Sequence, residues 1–229
     1  TRIYYPEAVG IHRYDFNTGA LTYADYVYPA YHFERAEFSG DGTHAVLTGG
    51  EHIYHYEHNA SGFGTVTEIT DIENPGGCNL SFYDVLRHPT DPGEPLYILV
   101  NFNCGSAHQV RVMRYDPSAS PRVYLDDSGG IGPVDTSAFE PWTGSWQADG
   151  DYLVWGNRTA NGWHGRIFIW DPDHSTFPPN VVTDEMQFFT GGGLTNISTI
   201  CASPVSGRRF VLVKGTGRVV RFTEYPTTM

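Results

Sequence analysis

One short pattern recurs five times along this chain: an aliphatic residue, two variable residues, then an aromatic. It reads Ile11-His-Arg-Tyr14, Ile53-Tyr-His-Tyr56, Val112-Met-Arg-Tyr115, Ile167-Phe-Ile-Trp170 and Val219-Val-Arg-Phe222. The copies stand roughly 40 to 60 residues apart, the spacing of stacked supersecondary units that share one continuous core. In three copies Asp follows the aromatic (Asp15, Asp116, Asp171), and in a fourth Glu57 does. Turn formers such as Asn17-Thr18-Gly19 and Asp171-Pro172-Asp173 come next.

Upstream of four copies lies a second pattern, an apolar run entered through a tight turn. Phe38-Ser-Gly-Asp-Gly-Thr-His-Ala-Val-Leu47 and Trp146-Gln-Ala-Asp-Gly-Asp-Tyr-Leu-Val-Trp155 show it best. Looser versions run from His88-Pro-Thr-Asp-Pro-Gly93 into Leu96–Val100, and from Ser203-Pro-Val-Ser-Gly207 into Phe210–Val213. Asp-Gly between apolar runs is a strong hairpin signal. Each unit therefore reads as strand a, tight turn, strand b, loop, strand c ending on the aromatic, turn, strand d. Thr65–Thr70 and Arg122–Leu125 are candidate d strands. Helical periodicity is nowhere convincing.

Phe38-Ser-Gly-Asp-Gly followed by Ala-Val-Leu resembles the turn of TolB-, YVTN- and WD40-like β-propeller repeats, and Trp170-Asp171 is similar to the WD dipeptide. The resemblance is to the superfamily as a whole. It implies an all-β fold, a β-propeller of about five four-stranded antiparallel blades forming one domain over residues 1–229. The units fall at approximately 1–35, 36–78, 79–141, 142–195 and 196–229. Thr1–Tyr26 supplies only b, c and d, and Ser198–Pro226 only a, b and c. The ring is expected either to close on five irregular blades or to belong to a larger propeller, with five blades preferred. The chain opens on Thr1 rather than Met, as a processed or trimmed product would.

Composition agrees with strands and turns. There are 15 Tyr, 13 Phe and 5 Trp to favour strands, and 26 Gly with 15 Pro to furnish turns. A net charge of −12, with Lys214 the one lysine, argues against nucleic acid and anionic membranes, whose phosphates need clustered cations. No apolar run approaches the length of a membrane-spanning helix, so no membrane insertion is expected.

Strand order assigns connections to faces. The a–b and c–d turns share one side, here the turn side; b–c loops and d–a connections share the other, the loop side. The loop side is expected to carry the long segments: Tyr26–Arg35, Asp71–Leu80, Asn101–Gln109, Asp126–Thr143, Gly156–Gly165 and Thr183–Asn196. Long loops on a rigid scaffold are where binding usually resides. Their aromatic and histidine side chains nominate Tyr31, His32, His108, Trp142, Trp163, His164 and Phe188 as binding residues. Such groups suit sugar rings or a protein interface, and equally suit sealing the gaps between blades.

Cys78 in a d–a connection and Cys104 in the b–c loop of the same unit fall on one side, which makes their disulfide plausible and implies an oxidising compartment. Cys201 reads as a buried thiol of an innermost strand. Sequons occur at Asn59, Asn79, Asn157 and Asn196; Asn59 and Asn157, read as loop residues, are the candidates for glycosylation. His52 and His55 point to opposite faces of a strand, which argues against a metal site shared with His58. The basic residues two positions past the repeat anchors, Arg13, Arg114 and Arg221 with His55, are expected to pair between blades, with recurring acids such as Asp15, Asp116 and Asp171 as candidate partners.

No zinc-protease helix motif, nucleophile elbow, phosphate-cradling loop or EF-hand spacing is present, so neither cofactor nor metal is expected. The leading expectation is an extracellular or cell-surface binding module, rather than an enzyme, that takes a glycan or protein on its loop side. The alternatives are a hydrolase or lyase drawing on His108, His164, Glu51, Asp135 and Glu185, and a structural subunit of a homo-oligomer or larger surface assembly.

Overall fold

The computed structural model describes residues 2–7, 10–15, 20–26, 35–58, 64–90, 93, 95–105, 107–126, 139–146, 150, 153–159, 167–170, 197–202, 210–215 and 220–224. Side chains are described for 35–57, 65–90, 93, 95–105, 110–126, 144–146, 150 and 153. These residues form seventeen strands in five antiparallel sheets, each sheet ordered as in the sequence. The first holds β1 (Arg2–Glu7), β2 (Gly10–Asp15) and β3 (Ala20–Tyr26). The second has four strands: β4 (Arg35–Phe38), β5 (His44–Gly49), β6 (His52–His58) and β7 (Gly64–Glu68).

The third sheet also has four: β8 (Asn79–Arg87), β9 (Leu96–Cys104), β10 (Ala107–Tyr115) and β11 (Val123–Leu125). The fourth contains β12 (Phe139–Trp146), β13 (Leu153–Thr159) and β14 (Ile167–Trp170). The fifth contains β15 (Ile197–Ala202), β16 (Phe210–Gly215) and β17 (Val220–Glu224). Four repeat anchors fall whole on the strand expected to be c (β2, β6, β10 and β14), and the fifth from Val220 on in β17, Val219 being outside the described residues. β12 crosses residues 141 and 142, so the limit drawn there between two units falls inside a strand.

Consecutive sheets meet through their first strands: β1 lies against β4, β4 against β8, β8 against β12 and β12 against β15. The alternation of β9 shows why this stacking is stable. Leu96, Ile98, Val100 and Phe102 face the second sheet, packing with Val46, Ile53 and Val123. Tyr97 and Leu99 face the fourth, packing with Val112, Trp146 and Leu153. A strand covered on both faces must be apolar at every position, which is how Leu96–Val100 reads. Burying each of these aliphatic side chains contributes about 2 kcal/mol.

Three first strands carry a β-bulge. The extra residues are Tyr83 in β8, Trp142 in β12 and Ser198 in β15, each skipped by the pairing register. Bulges bend a strand and increase its twist. Here they recur at the strands where neighbouring sheets touch.

One expected loop is strand and turn, and two others are strand where they are described, at 139–143 and 156–159. Asn101–Gln109 is the end of β9, a tight turn and the start of β10, with Cys104 opposite Ala107 and Asn103 opposite His108. Gly105, at φ 80°, supplies the left-handed residue that this short connection needs. Asn101 is buried inside the ladder, so a polar residue had the look of a loop without being one. Trp142 likewise lies in β12 and Asn157 in β13, not in loops. The register sets Asn157 opposite Pro141, and Trp142 is the bulged residue beside that pair.

A histidine and tyrosine seam as the candidate functional site

The polar cluster that the described residues assemble lies on the turn side, at the seam between the second and third sheets. The Ser39–Thr43 turn brings its first member into place. Ser39 Oγ and Thr43 Oγ1 donate to Asp41 Oδ1 at 2.6 and 2.8 Å, and the Thr43 amide does so at 3.0 Å. These bonds, Ser39 foremost, hold the Asp41 carboxyl down at about 2. The turn delivers His44 to the start of β5. The Asp116 turn after β10 is built the same way, with Ser118 Oγ donating at 2.6 Å and the Ser118 amide at 2.8 Å.

His44 stacks on His55 of the neighbouring strand, ring centroids 5.6 Å apart and planes 10° from parallel. Tyr115 of the third sheet packs against both rings, 5.8 Å from each. Its hydroxyl is hydrogen-bonded to His55 Nδ1 across the seam. Burial raises the Tyr115 hydroxyl to about 12, so it keeps its proton. Burial also lowers both histidines, and the facing His44 lowers His55 further. The phenol oxygen both donates and accepts, so the bond forms with either tautomer of His55. A cleft of about 160 Å³ opens beside the cluster, lined by Ser39, His44, Leu96, Arg114, Tyr115 and Asp116.

On the opposite side a disulfide closes the third sheet's own connections. Cys78 and Cys104 form a disulfide with Cα atoms 4.5 Å apart, tying the connection that enters β8 to the β9–β10 turn. Asn74 organises that connection, donating to the Cys78 carbonyl at 2.8 Å and accepting from its amide at 3.0 Å. Before Asn74 the segment runs beside β11, where Val123 N–H donates to Asp71 O at 3.3 Å and Glu73 N–H to Val123 O at 2.8 Å.

Charged groups cross the first strands. Arg35 of β4 lies 3.7 Å from the buried Asp84 of β8, and Arg87 lies 3.9 Å from Glu37. Asp84 also accepts the Gly144 N–H of β12 at 2.8 Å, so one carboxylate links three sheets. Burial raises the Glu37 carboxyl, against the pull of Arg87.

Of the expected binding residues, the strand backbone places His108 in β10 and Trp142 in β12. Tyr31, His32, Trp163, His164 and Phe188 lie outside the described residues, as does Asn59. Glu51 is exposed in the β5–β6 turn, while Asp135 and Glu185 are outside the described residues. His52 pairs with Glu68 at 2.7 Å, and His55 turns to Tyr115, so the two do not share a site. Among the described residues no three His, Cys, Asp or Glu side chains converge as metal ligands would.

The acids Asp15 and Asp171 are outside the described side chains, so the expected pairing between units is read only around Arg114 and His55. Arg114 sits 6.0 Å over the ring of Tyr97, its cross-strand neighbour. His55, at the corresponding position, does reach the next sheet, but through a tyrosine. Sequence reasoning passed over His44 and Tyr115 as functional residues. The signal that could have found them was the coincidence of His44 and His55 on strands b and c with an anchor aromatic in the next unit.

No family model matches the chain, and no curated protein matches it. Solved structures do. The β-propeller domain of Myceliophteria thermophila Cps50 (Swd1) superposes with a TM-score of 0.62 at 12% identity, over 98% of this chain and 67% of that one. The Kuenenia stuttgartiensis hydrazine synthase gives 0.58 at 20% identity, over 95% and 65%. The extracellular domain of the hybrid two-component system BT4673 from B. thetaiotaomicron gives 0.63 at 14%, over 99% and 26%. At these identities the likeness is one of fold. This chain spans about two thirds of the first two and a quarter of the third.

Proposed function

We propose that this chain is a β-propeller-type binding module of the extracellular space or cell surface, taking a glycan or protein on its loop side. The five sheets are read as five blades of one ring. The carrying observation is the Cys78–Cys104 disulfide, which pins a loop-side connection to a loop-side hairpin. A binding surface gains affinity when its segments are held in place beforehand. A disulfide also fits an oxidising compartment.

The test is a glycan array probed with the disulfide-intact protein, beside Trp142→Ala and Trp163→Ala variants whose strand content is checked by circular dichroism. A set of related glycans bound by the parent and lost in either variant supports the reading. A blank array removes the glycan version. Surface cross-linking on cells of the source organism, with the same variants, then decides for or against a protein partner. Binding that survives both substitutions places the site elsewhere and overturns the loop-side assignment.

A further inference from the structure

We infer that Asn79 is a glycan acceptor, the attachment point of an N-linked oligosaccharide at the loop-side end of β8. The assignment rests on the compartment proposed above, since such glycans are added to chains leaving the cell. It is independent of what the loop side binds.

Asn79-Leu80-Ser81 meets the chemical requirement, an amide with a hydroxyl two residues on. A competing role for Asn79 is that of a turn residue at the entry to β8. The structure gives that role to Asn74, whose side chain donates to the Cys78 carbonyl at 2.8 Å and accepts from the Cys78 amide at 3.0 Å. Asn79 itself is exposed, and among the described residues no hydrogen bond engages its side chain.

The strand keeps both groups of the motif off the core between the second and third sheets. Leu80 packs against that core and Phe82 is buried in it. Side chains alternate along a strand, so Asn79 and Ser81 take the other face. Asn79 is the first residue of β8, opposite Asn103 at the end of the ladder. Pro75, Gly76 and Gly77 precede it on the surface, and the disulfide brings up the exposed Cys104 with Gly105 beside it. A bulky, hydrated oligosaccharide needs such an open corner. Asn157 differs: it lies within β13, with β12 paired against it.

In the transfer, Asn79 Nδ2 attacks the anomeric carbon of an oligosaccharide carried on a lipid diphosphate. The C–N bond forms as the C–O bond to the diphosphate breaks, and the amide gives up one proton. Nothing is oxidised or reduced. The attached glycan then stands over the exposed 75–77 turn and Cys104, shielding both from proteases and thiols.

The test is a non-reducing peptide map of the protein recovered from the cells that make it, before and after enzymatic release of N-linked glycans in heavy-oxygen water. The expected result is a glycopeptide that also carries the Cys78–Cys104 bond, with Asn79 converted on release to labelled aspartate. Asn79→Gln and Ser81→Ala, returned to the same cells, should each lose that glycan, and Ser81→Thr should keep it. Should Ser81→Ala fail to fold, Asn79→Gln, altered at an exposed position, carries the test with Ser81→Thr.

An unmodified Asn79 in a protein whose disulfide is closed overturns the assignment and leaves the compartment standing. Free thiols at both cysteines, with Asn79 unmodified, would overturn the compartment as well. A glycan retained at Asn79 in Ser81→Ala would refute the role given to the hydroxyl and with it the motif-directed transfer.

Discussion

The third sheet makes two seams, and each contains a histidine among aromatic rings. On the side of the fourth sheet, His88 lies 4.4 Å from Trp146 and 5.9 Å from Tyr97. Its Nε2 reaches the Gly150 carbonyl at 3.1 Å and its Nδ1 the Thr90 amide at 3.4 Å. One tautomer, with the proton on Nε2, serves both backbone partners. On the side of the second sheet, His55 meets a second imidazole and a tyrosine hydroxyl instead. A histidine bonded to backbone is fixed by the fold. A histidine bonded to a side chain of another sheet depends on how the two sheets stack. The residue type is the same; the partners decide its role.

The largest expected effect breaks the tryptophan-side seam. Gly150 has φ +79°, and a Cβ there would stand 2.4 Å from His88 Cε1 and 2.5 Å from Thr90 Oγ1. Both the backbone and the packing oppose a side chain. Gly150→Ala should cost about 3 kcal/mol, read as a lower urea midpoint at an unchanged slope.

Next comes the link that joins the two seams. Asp84→Ala leaves the buried Gly144 N–H without its acceptor and removes the carboxylate facing Arg35. A loss of about 2 kcal/mol is expected. Asp84→Asn, which keeps an acceptor, should lose less, and the same urea titration compares them.

The smallest effect sharpens the contrast from outside. His52 and Glu68 pair at 2.7 Å, but both side chains are 40% exposed. His52→Ala should change stability by less than about 0.5 kcal/mol.

Much of the scaffold was legible in the sequence because its signals are local. The aliphatic–aromatic anchors mark five strands, and the Asp-Gly turn of Phe38–Leu47 folds as the hairpin it implies, with Ser39 N–H bonded to His44 O at 2.9 Å. Thr65–Thr70 and Arg122–Leu125 overlap β7 and β11. The expectations that failed share one cause. Asn101, Asn103, His108 and Gln109 are polar residues inside strands β9 and β10. Polarity was read as a loop, whereas the ladder continues because backbone pairing, not side-chain polarity, extends a strand. Trp142 was misplaced for a related reason: a bulge adds a residue to a strand without leaving a mark in composition.

What the sequence determined by itself was the repeating unit, its antiparallel strands and the turns between them, since each depends on residues close together in the chain. What only the tertiary structure decided was which side chains from different units meet. His55 and Tyr115 are sixty residues apart, as are Asp84 and Gly144. Cys78 and Cys104 share a side in the sequence reading, but their distance is set by how β8 and β9 pair. Contacts of that range depend on sheet stacking and register, and a one-residue shift in register would turn every one of these side chains to the other face.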